Sequence, residues 1–337
     1  MTTFVRSASL TKYSDVARVL GVDPVQMVRH VGLDQACLYT PDLRIPEARL
    51  AELLEVSAKS SDCQSLGLLM AESWRLSDFG AISLLLQQQP TLRHALSQLK
   101  NYDHLLSDSV AVEVTDFPEI AVVHVVLVTE RPDPGRQVVE LAVGATLSLV
   151  RTLLGVPWRP RSVHFSHSAP ASLQIHRRLF GPMVEFDSEF DGIVVSQHDL
   201  DRLNSLADVN LARYAKEFLD MQPRVRRDSM ADDVRRSLHS LLPRGQHAIE
   251  LVGQDLGLSP RSLQRRLEQA GESYSSLISD VRSKLALRHL ANPGCSVSQV
   301  AGLLGFSEVS AFSRWFSAQF GMSPTDWRRD TRNRAAG

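Results

Sequence analysis

Three cysteines in 337 residues leave little with which to staple a fold. Cys37, Cys63 and Cys295 stand far apart, without the spacing of a zinc site, so they read as buried thiols of a chain at home in a reducing cytoplasm. There is no uninterrupted apolar run of the 18 or so residues that a membrane span needs, and the opening MTTFVRSASL lacks the apolar core of a signal peptide. The P-loop, the nucleophile elbow G-x-S-x-G and the zinc motif H-E-x-x-H are all missing. His164 and His167 have no acidic or cysteine partner at ligand spacing, and His164 reads as a hydrogen bonder at a strand end. The expectation is a protein without cofactor, metal, membrane partner or enzymatic turnover.

What the sequence has is length, apolar content and an uneven charge. With 43% apolar residues, 337 residues are too many for one ordinary core and predict two domains. The net charge of −1 hides an asymmetry: residues 223–337 carry 17 Lys+Arg against 11 Asp+Glu, and the rest carry 20 against 27. A basic C-terminal part on an acidic partner fits a polyanion-binding module carried by a non-binding one, although ordinary fluctuation between domains produces such differences too.

The apolar period divides the chain. Residues 10–106 read as short helices, with Pro46 opening a stronger one over PEARLAELLEVSAKS and Thr91 as an N-cap. The period then changes to alternation in 109–115 and a valine-rich stretch in 120–128, a hairpin-like pair. A helix at 138–154, strands near 162–165, 184–186 and 193–195, a helix at 172–180 and a closing helix at 209–219 follow. Residues 1–220 thus predict an α+β domain. MQPRVRR marks a linker at 221–230, and residues 231–337 predict an all-α domain, with helices near 228–242, 248–256, 259–270, 274–291, 296–304 and 307–319 and a last turn after Ser323.

That second part contains a duplication. VGQDLGLS at 252–259 returns as VAGLLGFS at 300–307, with a small residue four before a glycine in each copy (Gly253 and Gly257, Ala301 and Gly305). Further on Leu263 answers to Phe312, Arg265 to Arg314, Gly271 to Gly321 and Ser273 to Ser323. Two helices joined by a glycine turn form a helix-turn-helix, and two in tandem are far more specific than one. In the first copy Ser259 caps a helix that buries Leu263 and Leu267 and turns Arg261, Ser262, Gln264 and Arg265 outward. A charged helix face alone is commonly just solvated. The turn before it and the repeat after it make it a reading face, because Arg and Gln pair with guanine and adenine edges in the major groove. In the second copy Phe312, Trp315, Phe316 and Phe320 read as core, which leaves Glu308, Val309, Ser310, Ser313 and Arg314 for the groove, with Val309, Ser310, Ser313 and Arg314 as the expected contacts of a smaller face that reads fewer bases. Ser259, Ser296 and Arg328 are the expected phosphate contacts. A single helix over 274–291, about 27 Å long, would hold the two reading helices about one DNA turn apart.

Residues 300–307, with Phe312, Arg314, Phe316 and Phe320-Gly321-Met322-Ser323-Pro324, closely resemble the signature of the AraC/XylS family of bacterial transcription regulators; Trp327 departs from a usual tyrosine. Arg44-Ile45-Pro46, Asp78-Phe79-Gly80, Ser162-Val163-His164-Phe165, Ala169-Pro170 and Leu179-Phe180-Gly181 resemble the arabinose-binding-type N-terminal domain of one subgroup, which is similar to ornithine-utilisation and mycobacterial acid-induced virulence regulators. The resemblance implies a cytoplasmic, sequence-specific DNA-binding regulator, an activator in contact with RNA polymerase, with a sensor domain that binds a small organic effector and pairs the chain as a homodimer on promoter DNA. The alternative is a ligand-independent regulator whose first domain only oligomerises. Arg151, Lys100, Tyr102, His104 and His164 lie in or beside apolar stretches and fit either a carboxylate anchor or plain surface and capping roles.

Overall fold

The computed structural model describes residues 3–129, 131, 133–155, 157–222 and 229–336. The chain divides into two compact units, residues 1–224 and 225–337. The expected linker at 221–230 falls mostly on residues 223–228, which lie outside the described residues.

Unit 1 begins with β1 (Phe4–Arg6), then α1 (Tyr13–Val19) and α2 (Pro24–His30), the latter capped by Asp23 with Pro24 at its first position. β2 (Arg44–Pro46) pairs antiparallel with β1, Val5 opposite Ile45. Pro46, expected inside the first turn, ends this strand; its extended backbone caps α3 (Glu47–Ser60) instead. α4 (Leu66–Glu72), α5 (Ile82–Gln87) and α6 (Leu92–Asn101) follow, and Thr91 caps α6 through the His94 amide. The hairpin is present as β3 (Val110–Asp116) and β4 (Ile120–Leu127), with Glu113 opposite His124. Next come α7 (Arg136–Leu154), β5 (Ser162–His164), α8 (Gln174–Phe180), β6 (Val184–Glu185), β7 (Gly192–Ser196), α9 (Gln197–Asp201) and α10 (Val209–Asp220).

The five later strands form one sheet in the order β3-β4-β7-β5-β6, antiparallel except for the β5–β6 pair. Ala121, Val123, Val125, Val163, Ile193 and Val195 are buried in the same core as α7. α7 is long and apolar enough by length and composition to cross a membrane, although Glu140, Thr146 and Arg151 interrupt its apolar run. It is the core helix of the unit: 72% of that stretch is buried, and α4 packs against it.

Two of its buried polar side chains reach partners elsewhere in the unit, although Glu140 Oε2 and Arg136 Nε are buried without a hydrogen-bond partner. Gln137, fully buried, accepts from the Gly67 amide at 2.9 Å and donates to the Gln64 carbonyl at 3.1 Å. Glu140, also fully buried, lies 2.9 Å from His176 Nε2 of α8 and 3.7 Å from His167 Nε2, inside a ring formed by Phe165, Phe180 and Phe186. The HFSH histidines therefore part company. His164 sits between the hydroxyls of Ser162 (2.8 Å) and Ser188 (3.1 Å), and His167 turns toward Glu140.

Unit 2 is helical throughout its described residues: α11 (Met230–Leu241), α12 (Ile249–Asp255), α13 (Pro260–Gln269), α14 (Tyr274–Ala291), α15 (Val297–Leu303), α16 (Val309–Phe320) and α17 (Pro324–Ala336). The expected last turn is thus a helix of 13 residues. α14 runs unbroken for 18 residues from its Ser273 cap. Leu277, Val281, Leu285, Ala286 and Leu290 on it are buried in the core that also holds Leu263 and Leu267 of α13 and Phe312 and Phe316 of α16. His239 of α11 and His289 of α14 are buried with them.

Candidate nucleic-acid interface

The duplication is structural as well as sequential. α12–α13 and α15–α16 are each a pair of helices joined by a turn at a glycine with left-handed backbone, φ +66° at Gly257 and +73° at Gly305. Val252 and Val300 are buried at equivalent places, as are Leu263 with Phe312 and Leu267 with Phe316. A Cβ on Gly253 would stand 2.7 Å from the Leu258 carbonyl, which shows how tightly the first turn closes. Each second helix is followed by a serine-capped one: Ser273 accepts from the Ser276 amide to open α14, and Ser323 accepts from the Asp326 amide to open α17.

On α13 the outward set is Arg261, Gln264, Arg265 and Arg266, all exposed, with Ser262 half-buried. Ser259 accepts from the Ser262 amide at 3.2 Å and is itself exposed. On α16 Val309, Ser310 and Arg314 are exposed and Ser313 is half-buried. Phe312, Trp315, Phe316 and Phe320 pack against one another, centroids 4.4–6.4 Å apart, with Phe312 and Phe316 buried and Trp315 and Phe320 half-buried. Ser296 caps α15 through the Gln299 amide at 3.1 Å. Among the described residues Arg261, Arg265, Arg266 and Arg314 have no ion-pair partner, so their charge faces outward unneutralised.

Arg328 is placed differently from the expectation. Its guanidinium donates to the Leu290 carbonyl at 3.1 Å and the Cys295 carbonyl at 2.7 Å, so it ties α17 to the C-terminal end of α14. Carbonyls at a helix end lack intrahelical donors and attract a cation. Replacing Arg328 with Ala should lower the stability of unit 2 by about 1–2 kcal/mol. A urea series read on α14 and α17 checks this. If that series were unmoved while the salt dependence of DNA binding flattened, Arg328 would be a phosphate contact after all.

Other arginines that brace the two copies escaped the sequence reading. Arg235 of α11 reaches Asp232 (2.8 Å), Glu272 (2.9 Å) and Asp280 (3.5 Å), linking α11 to α14. Arg282 of α14 donates to the Leu304 carbonyl at 3.0 Å and lies over the Phe306 ring at 4.7 Å, holding the second turn. Tyr274 donates to the His247 carbonyl at 2.8 Å. A basic residue followed by no acidic neighbour gives no sign in sequence of which carbonyl it will meet.

In unit 1 the polar side chains near apolar stretches are engaged within the fold. Arg151 donates to the Trp158 and Leu179 carbonyls, Lys100 pairs with Glu113 at 3.3 Å, Tyr102 donates to Asp220 at 2.6 Å, and His104 stacks on Tyr102. A separate cavity of about 120 Å³ opens among β1, α3, α6, β3 and α7, and neither these four residues nor His164 lines it.

These elements correspond to known families. Residues 21–204 match the arabinose-binding N-terminal domain of AraC transcription regulators, and residues 252–330 match a helix-turn-helix domain. The chain is 30% identical over 328 residues to the HTH-type transcriptional regulator VirS of Mycobacterium tuberculosis, covering 96% of each. It is 30% identical over 192 residues to the ornithine utilization regulator of Pseudomonas aeruginosa, covering 55% of each. The crystal structure of the transcriptional regulator CdpR from Pseudomonas aeruginosa aligns over 91% of this chain and 96% of that one, at 20% identity and a TM-score of 0.42. A tandem helix-turn-helix unit preceded by an arabinose-binding-type domain, in a chain that matches such regulators along almost its whole length, makes this a DNA-binding transcription regulator, and the chain belongs to the AraC family.

Proposed function

We propose that this regulator seats α13 and α16 in two successive major grooves on one side of double-stranded promoter DNA and so recognises a specific sequence. Arg261, Ser262, Gln264 and Arg265 read base edges in the first groove. Val309, Ser310, Ser313 and Arg314 make a smaller set in the second, and the exposed hydroxyls of Ser259 and Ser296 set register against phosphates. The observation that carries this reading is the pair of unneutralised outward faces fixed to one unbroken helix. Each chain would cover about 17–20 base pairs.

Selecting bound fragments from a random DNA pool tests the reading. Two conserved blocks about one helical turn apart are expected. In the same assay Arg265→Ala should cost about 1–3 kcal/mol on the selected site and relax base preference at one position. An unchanged footprint and affinity would remove α13 from the groove.

The remaining parts of the reading are control and assembly. In it the protein works in the cytoplasm as an activator that touches RNA polymerase, and a small organic effector held in unit 1 alters promoter binding. The cavity in unit 1 supports the effector. The exposed side of α10, with Met221 just past its end, supports a homodimer: Leu211, Tyr214, Phe218 and Met221, spaced 3, 4 and 3 apart, are each about half exposed or more, whereas Leu219 is buried. That spacing fits a short apolar seam against a second copy of the helix. Phe218→Glu should shift sedimentation from dimer to monomer at micromolar concentration without lowering the melting temperature. The same face favours the second reading, a regulator whose unit 1 only assembles chains; in that case no small molecule would stabilise unit 1.

A further inference from the structure

The cavity of unit 1 is built for a particular chemistry. Its walls are chiefly apolar, with Leu50, Leu99, Val112, Leu141 and Ala145 among them. At about 120 Å³ it approaches the engineered apolar cavity of about 150 Å³ that binds benzene. Among the described residues, its charged lining comprises three carboxyl groups, Glu47, Asp78 and Asp103, against one guanidinium, Arg6. Arg6 is already taken: its Nη2 lies 2.6 Å from Asp42 Oδ1, and its Nη1 donates to the Asp78 carbonyl. A carboxylate ligand would therefore enter an apolar chamber edged with like charge and with no uncommitted cation to receive it, which is costly. Glu47 is engaged as well: its Oε2 accepts from Thr129 Oγ1 at 3.0 Å, and burial raises its pKa. Trp74, another wall residue, has an indole N–H buried with no hydrogen-bond partner. That N–H is a donor for a neutral oxygen.

We infer that this cavity is a binding site for a compact, uncharged compound with one ring and a single polar oxygen, and that it rejects carboxylates of the same size. The inference rests on the reading of unit 1 as a sensor and names the class of molecule sensed.

The test is thermal unfolding of the full chain with benzyl alcohol, benzylamine and benzoate, each as a concentration series. Benzyl alcohol is expected to raise the unit 1 transition saturably, by about 5 °C at 100-fold excess over its dissociation constant. Benzoate should not move it, and benzylamine should fall between. Ala145→Leu, which fills the cavity from α7, should abolish the benzyl alcohol shift while leaving the unliganded transition in place. Leu50→Ala, which enlarges it, should shift preference at least tenfold toward 2-naphthalenemethanol and serves if the first variant does not fold. Benzoate binding as well as the alcohol, no shift with the alcohol, or an alcohol shift that neither variant alters would overturn the assignment. Affinity for the pool-selected DNA, measured with and without saturating alcohol, separates the two claims: a shift in melting that Ala145→Leu abolishes, without a change in DNA affinity, upholds the site and removes the sensor reading.

Discussion

Acidifying the protein from pH 7 to pH 5 should strip about 4 kcal/mol from the stability of unit 2. His239 and His289 are both buried, and His239 Nδ1 and His289 Nε2 have no hydrogen-bond partner. Burial pushes each imidazole down to about 3, with Arg288 adding repulsion in both cases and Lys284 in the first. In the unfolded chain they titrate near 6.5. Unfolding therefore takes up protons below that value, so the stability is complete above about pH 6.5 and drains away as the pH falls toward 3. At pH 5 each histidine costs about 2 kcal/mol, against a total of 5–15 kcal/mol for an ordinary domain. Urea midpoints read on α11 and α14 at the two pH values check this. His289→Leu should remove about half of the pH dependence. A midpoint indifferent to pH would mean that water reaches both rings.

A comparable loss is expected in unit 1 from Glu140→Ala, about 3–5 kcal/mol. The carboxylate is fully buried, and His176 Nε2 at 2.9 Å has it as partner, while His176 Nδ1 has none. Removing Glu140 strands a buried imidazole and opens a void beside three phenylalanine rings. Glu140→Gln keeps shape and an acceptor, and should cost clearly less. Hydrogen exchange in α7 and α8 separates this from any change in unit 2. Equal protection in the Ala variant and the unaltered protein would show that the contact contributes nothing.

The two units were not equally legible in the sequence. Unit 2 is legible almost helix by helix, because its start signals are local. Ser259, Ser273 and Ser296 each stand where a side chain caps the following turn, and Asn292-Pro293-Gly294 stops α14. The division between buried Leu263, Phe312 and Phe316 and exposed Arg265 and Arg314 followed from the 3.6-residue period. Arg328 escaped because a period locates a face, and whether an arginine on it meets solvent or a carbonyl depends on the neighbouring helix. Only a last turn is legible where α17 stands, because that helix is polar nearly throughout and shows no apolar period. In unit 1 the β3–β4 hairpin was visible as alternation, but β1 and β2, three residues each, are too short to show a period. Nor does alternation reveal that β7 enters the sheet between β4 and β5, since pairing between distant strands leaves no local mark. Glu140 and His176 lie on different helices, and only the fold brings them together.

One consequence of the uninterrupted α14 concerns promoters rather than the protein. With Leu277 and Leu290 near its two ends sunk into one shared core, the helix has no joint at which the two reading heads might swivel apart. A single base pair added between the halves of an operator displaces one of them by about 3.4 Å and a tenth of a turn. A protein with a flexible tether absorbs such an insertion; docked as proposed, this one would give up half of its grip. Genuine targets should therefore keep the same interval between their two blocks, letter changes notwithstanding, and that interval is a sharper guide to them in a genome than either block by itself.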